Sequence, residues 1–457
     1  MKSLWNTRIR AFSAAALVLA ALSEVYAGGF SIYEQGGRAT SQGGAVVARP
    51  WDASAAFYNP AGLAFYGGAP GTYRFYVGVT PVQSLSKFTG LDSFPGRGVH
   101  EEAKAKWFPP FYAYGVYQIN ENMAAGLSIT TPFGLGTEWK NPNNTYSGRF
   151  RSLMANIEAV YISPVISYKV NNMIGVGAGV DFVYSRVELR RHQGIDIFDG
   201  EATKKYDVAD IYLKGEDKLS MGFHVSAYAK INENLSFGAD YKHSIKNDYE
   251  GHARFRQIKT GYVAIDNSVA ANFANDLFGG MRQEGNTSVT FPSSLVIGAA
   301  YKPMEKLTVE ADFALAGWSV FKEVEILFPN QRSVDATTGD TIKVKSILKE
   351  NYDDTWQIRL GAEYDVNERL QVRAGYIFDK TPAPTETVNP LLPDANRNDF
   401  SIGVGYKIND NWHVDAAYMA VIFSERSTKG KNVDNFDGVY NSHVNLFSLG
   451  FGYTFGN

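Results

Sequence analysis

The sequence predicts an all-β membrane protein: a 14-stranded antiparallel transmembrane β-barrel with an N-terminal plug of short helices inside its lumen. Three observations predict it. Long runs alternate bulky apolar residues with small or polar ones. One Asn/Asp-rich turn phrase recurs between such runs. Aromatic residues reach 14%, with 27 Tyr and 29 Phe, yet beyond the first residues no stretch approaches the ~18 consecutive apolar residues of a membrane helix. A barrel reconciles these, because only every second residue of a strand meets lipid and aromatic girdles mark both interfaces.

The chain opens with a secretory signal over residues 1–27. Lys2, Arg8 and Arg10 precede the apolar core Ala11–Leu22, which is too short to span a bilayer, and Val25-Tyr26-Ala27 suits cleavage before Gly28. Removing that segment takes three basic residues and one acidic residue from a chain of net charge −3, leaving −5. That balance argues against a nucleic-acid partner, which needs a basic face. The 457 residues include no cysteine, so disulfides contribute nothing to stability after export.

Residues 28–68, rich in Gly and Ala, precede the first strand and form the expected plug. Within them Asp52 and Asn59 are candidate helix N-caps, with Pro60 in the first helical position after Asn59. Residues 69–457 form the barrel. In Gly175–Leu189 the even positions Val176, Ala178, Val180, Phe182 and Tyr184 alternate with Gly177, Gly179, Asp181 and Ser185. Period two sends these sets to opposite faces, and a glycine-bearing face suits a wide lumen better than a dry core. The last strand repeats the pattern, with Phe447, Leu449, Phe451, Tyr453 and Phe455 against Ser448, Gly450, Gly452 and Thr454.

The turns are Tyr117–Met123, Tyr168–Ile174, Ala229–Leu235, Tyr301–Leu307, Tyr364–Leu370 and Tyr406–Trp412. Asn and Asp tolerate positive φ and bond to their own backbone, which suits tight hairpins. Six such turns make twelve strands, and Gly71–Thr80 and His443–Phe455 bring the total to fourteen with both ends periplasmic. Short turns on one side and long unequal loops on the other are the arrangement of bacterial outer-membrane barrels. Fourteen strands enclose more space than side chains fill, so a plug is required.

Several segments resemble the FadL family of outer-membrane transporters of long-chain fatty acids and other hydrophobic compounds. They include GGFSIYEQGGRAT at Gly28, FYNPAGL at Phe57, TPFGLGTEW at Thr131, RAGYIFDKTPAP at Arg373, and the stretch Leu392–Tyr418. The resemblance covers the whole mature chain. It implies a hatch-closed barrel that captures substrate on external loops, holds it in a lumenal pocket and releases it sideways at a kink in the third strand. By motif it implies that Asn59, Pro60 and Ala61 form the hatch tripeptide and that Pro132 and Gly134 lie at the kink. Proline cannot donate to the ladder and glycine weakens it, so a break there is also expected physically. The resemblance further implies that Arg191 contacts the ligand head, a role its odd parity supports. The family's second basic head-group position aligns with Asp353, a departure that favours a neutral or aromatic ligand.

In Gly261–Gly285, between strands seven and eight, Ile265, Val269, Phe273 and Leu277 recur every four residues with Phe278 and Met281 beside them. This predicts an amphipathic helix offering an apolar face for ligand capture. The family places its first capture site here and on the preceding loop, Gln193–Glu216. No P-loop, G-x-S-x-G or H-E-x-x-H motif occurs, and the seven histidines lack metal-ligand spacing. Accordingly no cofactor, metal or catalytic residue is expected. The expected function is passive, hatch-gated uptake of hydrophobic small molecules across the bacterial outer membrane. The expected partners are that substrate and the surrounding lipid and lipopolysaccharide. Nothing points to an oligomer interface, so a monomer is expected. The alternative is a barrel-borne hydrolase acting on lipids.

Overall fold

The computed structural model describes residues 28–66, 68–198, 203–274, 282–334 and 341–456; the expected signal, residues 1–27, lies outside them. Fourteen antiparallel strands close on themselves. In chain order β1 is Tyr73–Val79 continued as Val82–Gly90, β2 is Phe111–Asn120 with short pieces before it, and β3 is Met123–Glu138. Next come β4 (Met154–Lys169), β5 (Ile174–Phe198) and β6 (Thr203–Asn232). Strands β7 (Leu235–Lys242, Ile245–Gln257), β8 (Arg282–Phe291, Ser294–Met304), β9 (Leu307–Ala316, Glu323–Val334) and β10 (Thr341–Lys349, Thr355–Asp365) are each interrupted once. The ring ends with β11 (Leu370–Asp379), β12 (Arg397–Lys407), β13 (Trp412–Phe423) and β14 (Gly438–Phe455). β14 pairs back with β1, Phe451 opposite Val77, so the wall has no free edge where the chain ends meet.

Alternation gives the two faces their chemistry. On β14, Phe447, Leu449, Phe451 and Phe455 are exposed while Ser448 is buried. On β5, Ile174, Val176, Val180 and Tyr184 are exposed, whereas Asp181, Val183 and Ser185 are buried. The exposed apolar residues form the lipid belt, and the buried set faces the lumen.

The recurring turn works through its asparagine. In five of the six turns the Asn side chain accepts the backbone N–H two residues on: Asn120 from Asn122, Asn171 from Met173, Asn232 from Asn234, Asn367 from Arg369 and Asn409 from Asn411. Asn171, Asn367 and Asn409 also accept from the residue three on. The expected positive φ is not used: among the described residues the non-glycine positions with positive φ are Asn143, Asn144 and Asn435, in loops on the opposite side, and Asn351, at the β10 interruption. Tyr117, Tyr168, Tyr301, Tyr364, Tyr406 and Trp412 flank the turns and are exposed, as an interfacial girdle requires.

The lumenal glycines have a cause other than an open bore. A Cβ on Gly177 would strike Ala61, one on Gly238 would strike Val47, and one on Gly375 would strike Gly43. The N-terminal segment presses its backbone onto the wall at these glycines. That segment contains α1 (Gly37–Ser41), α2 (Ala55–Tyr58) and a 3₁₀ helix, Pro60–Phe65. Asn59 caps the 3₁₀ helix, accepting from Ala61 N at 3.2 Å. Asp52 is not the cap of α2: Ser54 holds that position, and Asp52 accepts from Ser54 N at 2.7 Å.

The stretch Gln193–Glu216 is no loop. Its described residues lie in β5 and β6, which continue as a paired hairpin well beyond the lipid belt. The helix α3 spans Val263–Ala274, and the rest of its apolar repeat lies outside the described residues. Strand alternation sets the cost of a charge in the lipid belt. Leu449→Arg, on the lipid face of β14, is expected to destabilise the barrel by about 2–4 kcal/mol. Ser448→Ala, facing the lumen, should cost under half of that; chemical denaturation in bilayers or micelles measures both.

Candidate functional site

The wall is continuous except at β3. β2 pairs with β3 only from Asn120 opposite Met123 to Ala113 opposite Ile129. Above that point β3 keeps its β4 partner but gains one residue: Thr130 faces Tyr161 and Phe133 faces Ala159. Thr131 and Pro132 form this bulge, and the alternation flips across it. The side of β3 that should meet β2 is left without a strand from Thr130 until Glu138, where Lys104 N donates to Glu138 O at 2.7 Å.

The N-terminal segment fills the vacancy. Ile32 N donates to Pro132 O at 2.8 Å, and Gly134 N donates to Phe30 O at 3.0 Å. Ser31 bridges Phe133 as an antiparallel pair. The Gln35 side chain completes the run: Thr131 N donates to its Oε1 at 3.0 Å, and its Nε2 donates to Thr131 O at 3.0 Å. Pro132 and Gly134 thus sit at the break, and each makes a main-chain bond to the N-terminal strip. The Ile32 side chain occupies the space beside Gly134 that a Cβ would need.

Below this strip the segment is anchored by wall side chains. Asp312 Oδ2 accepts from Val46 N (2.8 Å) and Val47 N (3.1 Å), and Glu310 accepts from Ala48 N at 2.7 Å. Ser226 accepts from Ala61 N at 2.9 Å, and Asn59 Nδ2 donates to Val47 O and Ala227 O. Buried Glu363 gathers Arg38 (2.7 Å), Arg49 and Arg373 (2.7 Å), and Arg373 also reaches Asp415 at 2.5 Å. Arg38 and Arg49 both lie over the Trp51 ring, at 4.5 and 4.7 Å. Asn59, Pro60 and Ala61 belong to this fixed base, packed against β5 and β6 away from the break.

A cavity of about 500 Å³ opens beside the N-terminal strip. Its wall is mostly apolar, with Phe30, Ile157, Ile377, Leu392, Val421 and Leu446 among its residues. Outward-facing Asn156, Glu158 and Val160 of β4 also line it, as do Phe108 and Phe111 of the β2 side. The cavity therefore reaches from the lumen through the β2–β3 gap to the outer face of the wall. Phe30 packs edge-on against Trp318 at 4.7 Å and Phe321 at 5.6 Å, so the strip is held by aromatic contacts as well as by backbone bonds.

Arg191 faces inward, as its parity requires, but lines a second pocket of about 290 Å³ between the external ends of β5, β6, β7, β9 and β10. Leu189, Ile211, Leu213, Phe255 and Phe328 make that pocket apolar, and burial lowers the proton affinity of the Arg191 guanidinium. Asp353 lines neither cavity; it is exposed and lies 3.6 Å from Lys322. On α3, Ile265 and Val269 are half-buried along one face. Phe273 is in the helix, whereas Leu277, Phe278 and Met281 lie outside the described residues.

Residues that the motifs did not single out hold the polar end of the large cavity: Glu34, Asp379, Asp394, Arg397 and Asp399. Sequence carried little signal for them: Asp379 stands opposite Gln357 and Arg397, and the apolar neighbours of Asp399, Ile377 and Val421, lie on other strands. A Ser163–Asp181–His224 group also sits at the lumenal wall. There Asp181 takes the Ser163 hydroxyl at 2.5 Å and His224 Nδ1 at 3.1 Å. The serine faces the carboxylate rather than the imidazole, so the histidine is not placed to take its proton.

Residues 18–455 match the family described as outer membrane protein transport protein (OMPP1/FadL/TodX). The chain is 24% identical to the long-chain fatty acid transport protein of Escherichia coli K12, covering 97% of this chain and 98% of that one. A Neisseria meningitidis serogroup B protein is 26% identical over 95% of this chain and 96% of its own. Among solved structures, a Pseudomonas aeruginosa FadL homologue superposes with a TM-score of 0.77 at 23% identity, covering 93% of this chain and 99% of that one. The Pseudomonas putida toluene transporter TodX gives 0.65 at 17% identity, covering 94% and 99%. These likenesses carry the fold.

The buried Glu363 cluster makes a specific demand. Glu363→Ala would leave three guanidiniums facing one another, and breaking such a group is expected to cost about 3–5 kcal/mol. The N-terminal segment should then become cleavable by added protease at Arg38 or Arg49 in the intact barrel, with the wall itself resistant.

Proposed function

The chain belongs to the OMPP1/FadL/TodX family of outer membrane transport proteins, and from that premise we propose that it carries hydrophobic small molecules, long-chain fatty acids or hydrocarbons, passively across the outer membrane. The observation that supports this reading furthest is the cavity that spans both faces of the wall at the β3 break. Substrate is captured outside, against α3 and the apolar pocket around Arg191. It passes to the large cavity, and the strip Gly29–Gln35 moves off β3 to let it leave sideways between β2 and β3. Residues 28–68 act as the hatch, both chain ends are periplasmic, and the protein works as a monomer among lipid and lipopolysaccharide.

Burial supplies the driving force. At roughly 0.8 kcal/mol per methylene, an acyl chain or aromatic ring gains enough from an apolar lining to be held without an energy source. The cavity volume falls within the usual range for small-molecule sites. A sideways exit delivers an apolar cargo to the membrane and spares it a crossing of water.

The Ser31–Phe133 pairing supplies the test. Antiparallel neighbours stand at a separation that a disulfide accepts. With Ser31→Cys and Phe133→Cys combined, oxidation should lower uptake of a radiolabelled fatty acid or toluene at least about tenfold, and reductant should restore it. Full uptake in the oxidised protein would show that the strip does not gate the path.

A further inference from the structure

The polar end of the large cavity is charged in a way the apolar remainder does not explain. Four carboxylates line it there, Glu34, Asp379, Asp394 and Asp399, against one guanidinium, Arg397. Arg397 is already paired with Asp379 and lies 5.4 Å from the Phe423 ring centre. Asp394 is also engaged, accepting from Thr381 Oγ1 at 2.6 Å and from Gly29 N at 3.1 Å.

Asp399 is different. It stands on β12 directly between Ile377 of β11 and Val421 of β13, and both of these line the cavity. It is 4% exposed, and its Oδ1 has no hydrogen-bond partner among the described residues. Asp379 Oδ1, on the neighbouring strand, is likewise buried without a partner. Leaving a buried carboxylate oxygen unsatisfied is costly, and an apolar residue at position 399 would continue the wall formed by Ile377 and Val421. The carboxylate is therefore an acceptor held ready for something that enters the cavity.

We infer that this cavity selects hydrophobic compounds carrying a hydrogen-bond donor, an alcohol, a phenol or an amine, over those ending in a carboxylate, and that Asp399 receives the donor. A hydroxyl or ammonium satisfies Asp399 while its apolar body lies along Phe30, Ile157 and Leu446. A carboxylate head brings acceptors only, into a lining already rich in carboxyl oxygens whose one guanidinium, Arg397, is paired with Asp379. This deepens the transport reading above and rests on it.

The test expresses the full chain in cells lacking other uptake channels for these compounds. It compares entry of decane, decan-1-ol and decanoate at equal aqueous concentration with cells that lack the protein. Decan-1-ol should enter about tenfold faster than decanoate, the size of one charge-assisted hydrogen bond. Asp399→Leu should bring decan-1-ol down to the rate of decane, while Asp399→Asn, which keeps an acceptor oxygen, should retain most of the wild-type rate. Heat-dependent gel mobility checks that each variant forms its barrel, and the wild-type ratio stands as a test even where a variant does not fold. Decanoate entering as fast as decan-1-ol, or Asp399→Leu leaving decan-1-ol unchanged, overturns the inference while uptake itself stands. Entry of none of the three above the control overturns the transport reading and this inference with it.

Discussion

In lipid, every main-chain N–H and C=O must find a partner within the protein. Strand pairing breaks off early along the β2–β3 seam: among the described residues the two strands pair only as far as Ala113 opposite Ile129, and beyond Ile129 Phe30, Ile32 and Gln35 take over bonds to β3. The opening in the wall and the position of the N-terminal strip are thus one feature. Without the strip, main-chain groups of β3 at Thr131, Pro132 and Gly134 would lose the partners they have here.

The same segment is held in two ways. From Gly36 onward its amides are taken by buried wall carboxylates and hydroxyls, and its arginines are locked on Glu363. Glycines on the wall let its backbone approach closely. The strip before Gly36 is held by main-chain bonds to β3, by the Gln35 side chain, by the aromatic grip on Phe30, and by side-chain bonds that join Asp394 to Gly29 N, Thr80 to Glu34 O and Tyr114 to Gln35 O.

Much of this was legible in the residues. Strand number and facing follow from period-two alternation, and the six turns mark one end of the barrel without reference to any loop. Pro132 and Gly134 announce a break because neither supports a ladder. What the pattern could not tell was what fills it: the Ile32–Pro132 bond joins residues a hundred positions apart through main-chain atoms that leave no trace in side-chain type. The lumenal glycines were read as signs of open space, whereas they mark contact with the plug. Gln193–Glu216 was read as loop because its charges hide the alternation once the strand leaves lipid and both faces meet water. Asp399 lies within a stretch that resembles the family, but nothing in that stretch marked it out, and its apolar neighbours Ile377 and Val421 stand on the adjoining strands.

Amide hydrogen exchange on the protein in lipid nanodiscs, with and without a saturating apolar substrate, tests the central claim most directly. Substrate should speed exchange at Ile32, Thr131 and Gly134 while Val46, Val47, Ala48 and Ala61 keep their protection. If the two groups of amides instead lose protection together, the whole plug moves as a unit. If the amides at β3 stay protected while substrate crosses, the path does not run through the gap.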